Sequence, residues 1–126
     1  MILSIEDRAI LSVDGSYNAE LWNSLDEVYD HFYRYASQGA KSVTLLDRSE
    51  DSMGTLHAIR FTIRYVDAKA DLPRIKSEII SMRKCRTPHV EIINTIMLET
   101  PEDRFLEDKL QMDKLLKSWR TLDTCG

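Results

Sequence analysis

Cysteine, histidine, proline and glycine are scarce in this sequence, which has two cysteines, three histidines, three prolines and four glycines in 126 residues. Cys85 and Cys125 have neither the spacing of a zinc site nor that of a disulfide scaffold. None of the histidines lies at a recurrent ligand spacing from a cysteine or an acidic residue. We therefore expect no metal, no other cofactor and no structural disulfide, and two free thiols indicate a reducing compartment.

Long hydrophobic runs are also missing. No apolar stretch approaches the ~18 residues of a membrane span, and residues 1–7 turn acidic before the apolar region of a signal peptide could develop. The formal charge of −4 is the opposite of the cationic excess that attracts nucleic acids and anionic membranes. These features predict a cytoplasmic protein that binds neither a membrane nor a nucleic acid.

Local signatures of catalysis are absent from the sequence. It contains no G-x-S-x-G motif, no nucleotide P-loop and no glycine pattern of a dinucleotide site. A catalytic site assembled from residues far apart in the chain stays open as an alternative. The missing signatures favour a protein that acts without catalysis.

The sequence does contain enough apolar residues for a core and an uneven distribution of charge. With 43% hydrophobic residues, the 126-residue chain is expected to form one domain over residues 1–126. Residues 1–40 hold seven acidic and two basic residues, a net −5, whereas residues 71–90 hold two acidic and five basic residues, a net +3. Charge asymmetry of this kind is compatible with contacts to a protein partner.

The first elements predicted are a hairpin and a helix. Residues 8–13 are apolar and partly β-branched and end at the turn signal Asp14-Gly15, so they predict a strand, with residues 1–5 as its hairpin partner. The capping-box spacing of Ser24 and Glu27 then opens a helix over residues 24–38, which a left-handed Gly39 would end.

Two strands follow the helix. Residues 41–47 predict the first, and a polar loop follows at residues 48–54. Residues 59–65 then alternate between apolar and polar side chains, which predicts a strand with one face on a core and the other in water. The polar face carries Arg60, Thr62 and Arg64.

The second half of the chain predicts a helix, a strand and a final helix. Residues 71–86 place an apolar stripe at helical spacing, ending before Thr87-Pro88 (Leu72, Ile75, Ile79 and Met82). Residues 90–98 predict a strand. Thr100 and Pro101 then open a helix that runs to about Leu122, with these residues broadly on its apolar side: Phe105, Leu106, Leu110, Met112, Leu116 and Trp119.

The resulting order, βαββαβ followed by a helix, is that of the ferredoxin-like arrangement. It predicts an α+β fold with an antiparallel sheet, two helices on one sheet face and an additional C-terminal helix. The alternative is another α+β sandwich with an extra N-terminal hairpin strand. We expect Val28, Phe32, Phe61, Ile63, Ile75 and Ile79 to share one core.

The candidate contact surface is the sheet face opposite the first two helices. Arg60 and Arg64 would project from it, together with Ile93 and Met97, and we expect the arginines to pair with Glu91 and Glu99. Sizeable exposed apolar patches usually mark contacts, so this face should be covered by a second copy of the chain or by the C-terminal helix. Tyr33, at the margin of the first helix, is a further candidate partner-binding residue.

Two functions remain open at this stage. The first is a non-catalytic protein-interaction or regulatory protein, such as a small inhibitor, immunity or adaptor protein of bacterial or phage type, acting on a protein partner or as a homodimer. The second is a small-ligand-binding module or a cofactor-free enzyme of the ferredoxin-like or dimeric α+β barrel type, with a pocket between helices and sheet.

Overall fold

The computed structural model describes residues 2–6, 9–67, 72–84 and 90–119. The elements follow in the order β1 (Ile2–Glu6), β2 (Ala9–Tyr17), α1 (Leu25–Ser37), β3 (Ala40–Met53), β4 (Leu56–Asp67), β5 (Pro73–Lys84), β6 (Glu91–Pro101), a 3-10 turn (Glu102–Arg104) and α2 (Phe105–Ser118). The predictions for Cys85, His89, Cys125 and the helical residues 120–122 lie outside these ranges.

The six strands form one antiparallel sheet in the order β1-β2-β6-β5-β4-β3. α1 carries the chain from β2 to the far edge of the sheet at β3. The strands β3 to β6 then return as a meander, so β6 comes to lie beside β2. The predicted N-terminal hairpin is confirmed, since Ile2 pairs with Ser12 across β1 and β2.

The α+β class and the antiparallel sheet are confirmed, but the strand order and number differ from those of a ferredoxin-like fold. The main reason is the segment predicted as a second helix, whose described part forms the central strand β5. Both faces of β5 are covered, so apolar residues occur on both: Ile75 and Ile79 on one, Ile80 and Met82 on the other. Taken together, their spacing along the chain resembles the apolar stripe of a helix, although β-branched isoleucines favour a strand.

The two helices lie on opposite sheet faces, and the prediction of two helices on one face is wrong because the second of those helices is strand β5. α1 packs against β4 and β5, in a core that includes Val28, Phe61 and Ile63. α2 packs against the other face, where Met112 meets Ile79. The predicted single core is therefore two cores, and the face opposite α1 is covered by the C-terminal helix, one of the two covers that the sequence predicted.

Two strands run further than the turn signals indicated. β2 continues through Asp14-Gly15 to Tyr17, because these residues pair with Thr95 and Asn94 of β6. β3 continues to Met53, through the polar segment predicted as a loop, because it forms the sheet edge beside β4. The turn to β4 comes only at Gly54, which has a positive φ of 62°.

α1 forms where the sequence predicted a helix. The Ser24 hydroxyl accepts a hydrogen bond from the Glu27 backbone N–H at 3.2 Å, and the Glu27 carboxylate accepts one from the Asn23 N–H at 2.9 Å. The reciprocal cap is thus present, with Glu27 reaching one residue further back than in the standard capping box. Gly39 has the predicted left-handed conformation, with a φ of 73°.

Candidate binding cleft

The two arginines of the predicted contact surface hold α2 on the sheet. The Arg60 side chain is 14% exposed and donates to the Asp113 carboxylate at 3.0 Å, with Asp51 at 3.9 Å. Arg64 forms an ion pair with Glu102, at the start of the segment that leads into α2. The arginines pair with these residues instead of the expected Glu91 and Glu99.

The other three predicted contact residues lie on the α1 side of the sheet. Ile93 is 2% exposed and belongs to the α1 core, so it presents no surface. The half-buried Tyr33 packs its ring 6.3 Å from that of Phe61. Met97 is half-buried and lines a cleft. The five residues therefore do not form one surface, and Met97 is the one that leads to a candidate site.

The cleft lies beside α1, because this helix packs on β4 and β5 and leaves part of β6 and β2 uncovered on the same face. Its volume is about 290 Å³. Strand residues form its floor and helix residues one wall; together the lining is Ser12, Asp14, His31, Phe32, Tyr35, Glu78, Thr95 and Met97. We call it the α1 cleft.

Strand register brings the floor residues together. Ser12 of β2 pairs with Met97 of β6, and Met97 pairs with Glu78 of β5, so these three side chains form one row across the sheet. Asp14 and Thr95 form the neighbouring row, two residues along each strand. Because side chains two residues apart share a face, both rows line the same cleft.

Among the floor residues, Glu78 has the most strongly perturbed pKa. Its Oε2 atom is buried and accepts no hydrogen bond within the described part of the chain. Burial raises the pKa of Glu78 to about 7, Lys76 opposes the shift, and Glu99 adds to it. A carboxyl group in such a position is costly to keep charged unless a donor or a cation approaches it.

The helical wall presents aromatic rings to the cleft. The ring of His31 packs at a tilt against that of Trp22 at the rim, with the ring centroids 4.7 Å apart. Phe32 is half-buried against the α1 core, whereas Tyr35 is 70% exposed. The cleft thus combines an acidic floor with an apolar and aromatic wall.

A second polar cluster lies further along the same sheet face. Glu99 accepts a hydrogen bond from the Tyr65 hydroxyl and one from Arg74 Nε at 3.3 Å, and Lys76 Nζ lies 3.8 Å from its other oxygen. Burial and the Glu99 carboxylate raise the pKa of Tyr65. This cluster engages the Lys76 ammonium group, which therefore does not pair directly with Glu78.

Sequence reasoning missed Glu78 because it placed this residue on a helix. On a helix Glu78 would lie at the margin of the stripe formed by Ile75, Ile79 and Met82, where a charged residue is ordinary. On a strand it falls between apolar neighbours on the face that α1 partly covers. The available signal was an acidic residue next to the β-branched pair Ile79-Ile80, which is unusual for a solvent face.

The described ranges contain no group of three or more His, Cys, Asp or Glu side chains placed to hold a metal ion. The two described histidines lie apart from each other. His31 is at the rim of the α1 cleft, and His57 lies 3.8 Å from the Glu50 carboxylate on β3.

None of the described helices is long and apolar enough to cross a membrane.

Comparison with known proteins identifies the fold and no family. Neither a protein-family model nor a curated protein sequence matches the chain. Among solved structures, the chain resembles a Pseudomonas aeruginosa protein of unknown function described as a candidate regulator, with a TM-score of 0.71 and 9% sequence identity. The match covers 98% of this chain and 82% of the other. At this identity the likeness concerns the fold alone.

Proposed function

We propose that this chain is a non-catalytic binding protein of regulatory type and that it holds a segment of a protein partner in the α1 cleft. The observation that carries the proposal is the half-covered sheet face. α1 covers β4 and β5, and beside it Met97 and the exposed Ile10 and Tyr35 leave apolar surface next to acidic side chains. A mixture of aromatic, methionine and charged groups is typical of protein contacts.

The shape of the cleft also supports a partner segment. Its volume, about 290 Å³, is at the lower limit of the ~300 to 1,000 Å³ that enclose a small molecule. One wall is the well-anchored helix α1 and the floor is the sheet, so an exposed side chain of a partner could enter without rearrangement of either element.

The second candidate is a small-ligand site in the same cleft. The raised pKa of Glu78 and the adjacent His31 favour it, because perturbed titratable groups in a cleft often mark binding or catalytic sites. The open floor and limited volume favour the protein partner. A soluble ligand that saturates the cleft at low concentration would reverse this preference.

A site-specific photocross-link tests the proposal. A benzoylphenylalanine in place of Tyr35 lies at the rim of the cleft, and the same residue in place of Leu106 lies on the outer side of α2, where Leu106 is 80% exposed. We expect irradiation in the source cells to give a discrete protein adduct from position 35 and none of the same mass from position 106.

The two positions form a matched pair, because each replaces a large exposed apolar residue on a helix, on opposite faces of one sheet. Adducts of equal yield and mass from both positions, or none from position 35, would contradict the proposal. An adduct of twice the chain mass would identify a second copy of this chain as the occupant and would also contradict it.

A further inference from the structure

The acidic residues of the α1 cleft form no ion pair with the cations around them in the described structure, although Lys76 partly opposes the rise in the pKa of Glu78. Lys76, which faces the same side of β5 as Glu78, lies 3.8 Å from Glu99. Arg48, in the same row of the sheet but two strands away, donates to Asp26 at 2.9 Å and stacks over a tyrosine ring. Within the described residues, no ion pair or hydrogen bond reaches Glu78 or Asp14 from a cation.

One buried carboxylate oxygen in the cleft lacks a hydrogen-bond partner among the described residues. Glu78 Oε2 is buried and without a hydrogen-bond partner in the described structure, although its side chain lines an open cleft. Most buried carboxylate oxygens accept at least one hydrogen bond, and an unmet one destabilises the folded state. Oε2 itself is buried, but a positive charge that enters the cleft would lie beside this carboxyl group and stabilise its charged form.

The walls of the cleft fit the rest of such a donor. Met97 and Phe32 offer apolar surface next to Glu78, and Tyr35 places an aromatic ring at the rim. Lysine and arginine carry an apolar stem behind the charged head, so they bury the stem along apolar surface while the head reaches an acid. An aromatic ring adds attraction for the same head.

We propose that the α1 cleft receives a lysine or arginine side chain of the protein partner, with its cationic head on Glu78 and Asp14 and its stem against Met97 and Phe32. This inference depends on the proposed function and deepens it by specifying the partner segment as basic and apolar. The volume of the cleft, about 290 Å³, suits one such side chain, so the recognition would rest on a single basic residue.

Methionine-methyl NMR with short probe peptides tests the inference on the full chain. The probes are a capped Leu-Lys-Leu peptide, its uncharged norleucine counterpart and n-butylammonium. Met97 reports on the cleft, and Met112 of α2, fully buried against the opposite face of the sheet, is the internal control. We expect the lysine peptide to shift the Met97 signal with a Kd about tenfold below that of the norleucine peptide and to leave the Met112 signal in place.

Two substitutions test whether the Glu78 carboxylate is responsible for the binding of the lysine peptide. Glu78→Gln keeps the shape of the side chain and removes its charge, and we expect it to weaken binding of the lysine peptide about tenfold. Glu107→Gln, on the exposed side of α2, is the matched control and should leave the Kd unchanged. Equal binding of the lysine and norleucine peptides, or a Glu78→Gln variant that binds like the wild type, would overturn the inference.

The outcomes separate this inference from the proposed function. If the photocross-link at position 35 captures a partner and the probes show no preference for charge, the cleft binds a protein but not through a basic side chain. If n-butylammonium binds as tightly as the lysine peptide, the cleft is a site for small amines, which overturns the assignment to a partner side chain.

Discussion

At the scale of single residues, Glu78 carries a buried carboxyl group whose charged form destabilises the folded state. It lies in the middle of a central strand between Phe61 and Met97, and one of its oxygens is buried without a partner in the described structure. Such a residue destabilises the fold when charged, so its presence in the floor of a cleft suggests a role that the core does not require. The cost can be measured through its dependence on pH.

The raised pKa of Glu78 predicts a loss of stability with rising pH. Between the ordinary value of 4.5 and the folded value of about 7, the folded chain binds more protons at this residue than the unfolded chain does. The free energy of unfolding therefore falls as the pH rises through this window, by an amount on the order of 2 to 3 kcal/mol. Glu78→Gln should remove this contribution.

Urea unfolding of both proteins at about pH 5 and about pH 8 measures the effect. We expect the Glu78→Gln variant to gain stability relative to the wild type at the higher pH. Glu20→Gln, at an exposed position before α1, is the control and should follow the wild type at both values. The groups that face Glu78 are Asp14, His31, Lys76 and Glu99; they are unchanged in both variants. Parallel pH dependence of Glu78→Gln and wild type would show that Glu78 carries no such cost.

At the scale of elements, local chemistry decided what the sequence could predict. α1 was predictable because its cap, its apolar stripe and its terminal glycine agree, and β4 because its alternation is regular. β5 was not, since a strand covered on both faces has no alternation and its isoleucines imitate a helical stripe. The sequence thus predicted a helix where the structure has a central strand, and Glu78 was not recognised as a residue of the cleft floor.

The N-terminal cap of α1 gives a direct test at this scale, because this helix forms the wall of the cleft. Ser24→Ala removes the acceptor of the Glu27 N–H and should lower the free energy of unfolding by about 1 kcal/mol. Ser118→Ala, at the end of α2, is the control, because the Ser118 hydroxyl only donates to the Leu115 carbonyl within the same turn. Equal losses of the free energy of unfolding for the two variants in urea would show that the N-terminal cap adds no more stability than the Ser118 hydrogen bond does.

At the scale of the whole molecule, a helix on each face leaves the sheet unevenly covered. α2 is held by ion pairs of Arg60 and Arg64 and by a buried hydrogen bond from the Thr100 hydroxyl to Asp108. These contacts fix α2 on its face of the sheet, where a second cleft of about 320 Å³ lies between β3, β4 and α2. α1 covers only part of the other face, and the α1 cleft lies beside it. The sequence predicted a cover for the face opposite α1, by the C-terminal helix or a second copy of the chain, and placed the contact residues Arg60 and Arg64 there, whereas the α1 cleft lies on the other face.

The affinity of the captured partner for surface variants tests the central claim most directly. Tyr35→Lys places a positive charge at the rim of the α1 cleft, and Leu106→Lys places the same charge at an equally exposed helical position on the opposite face. We predict that Tyr35→Lys weakens binding of the purified partner about tenfold or more in calorimetric titration, whereas Leu106→Lys changes the Kd by less than about twofold. Equal effects of the two variants, or a stronger effect of Leu106→Lys, would contradict the claim that the α1 cleft is the binding surface.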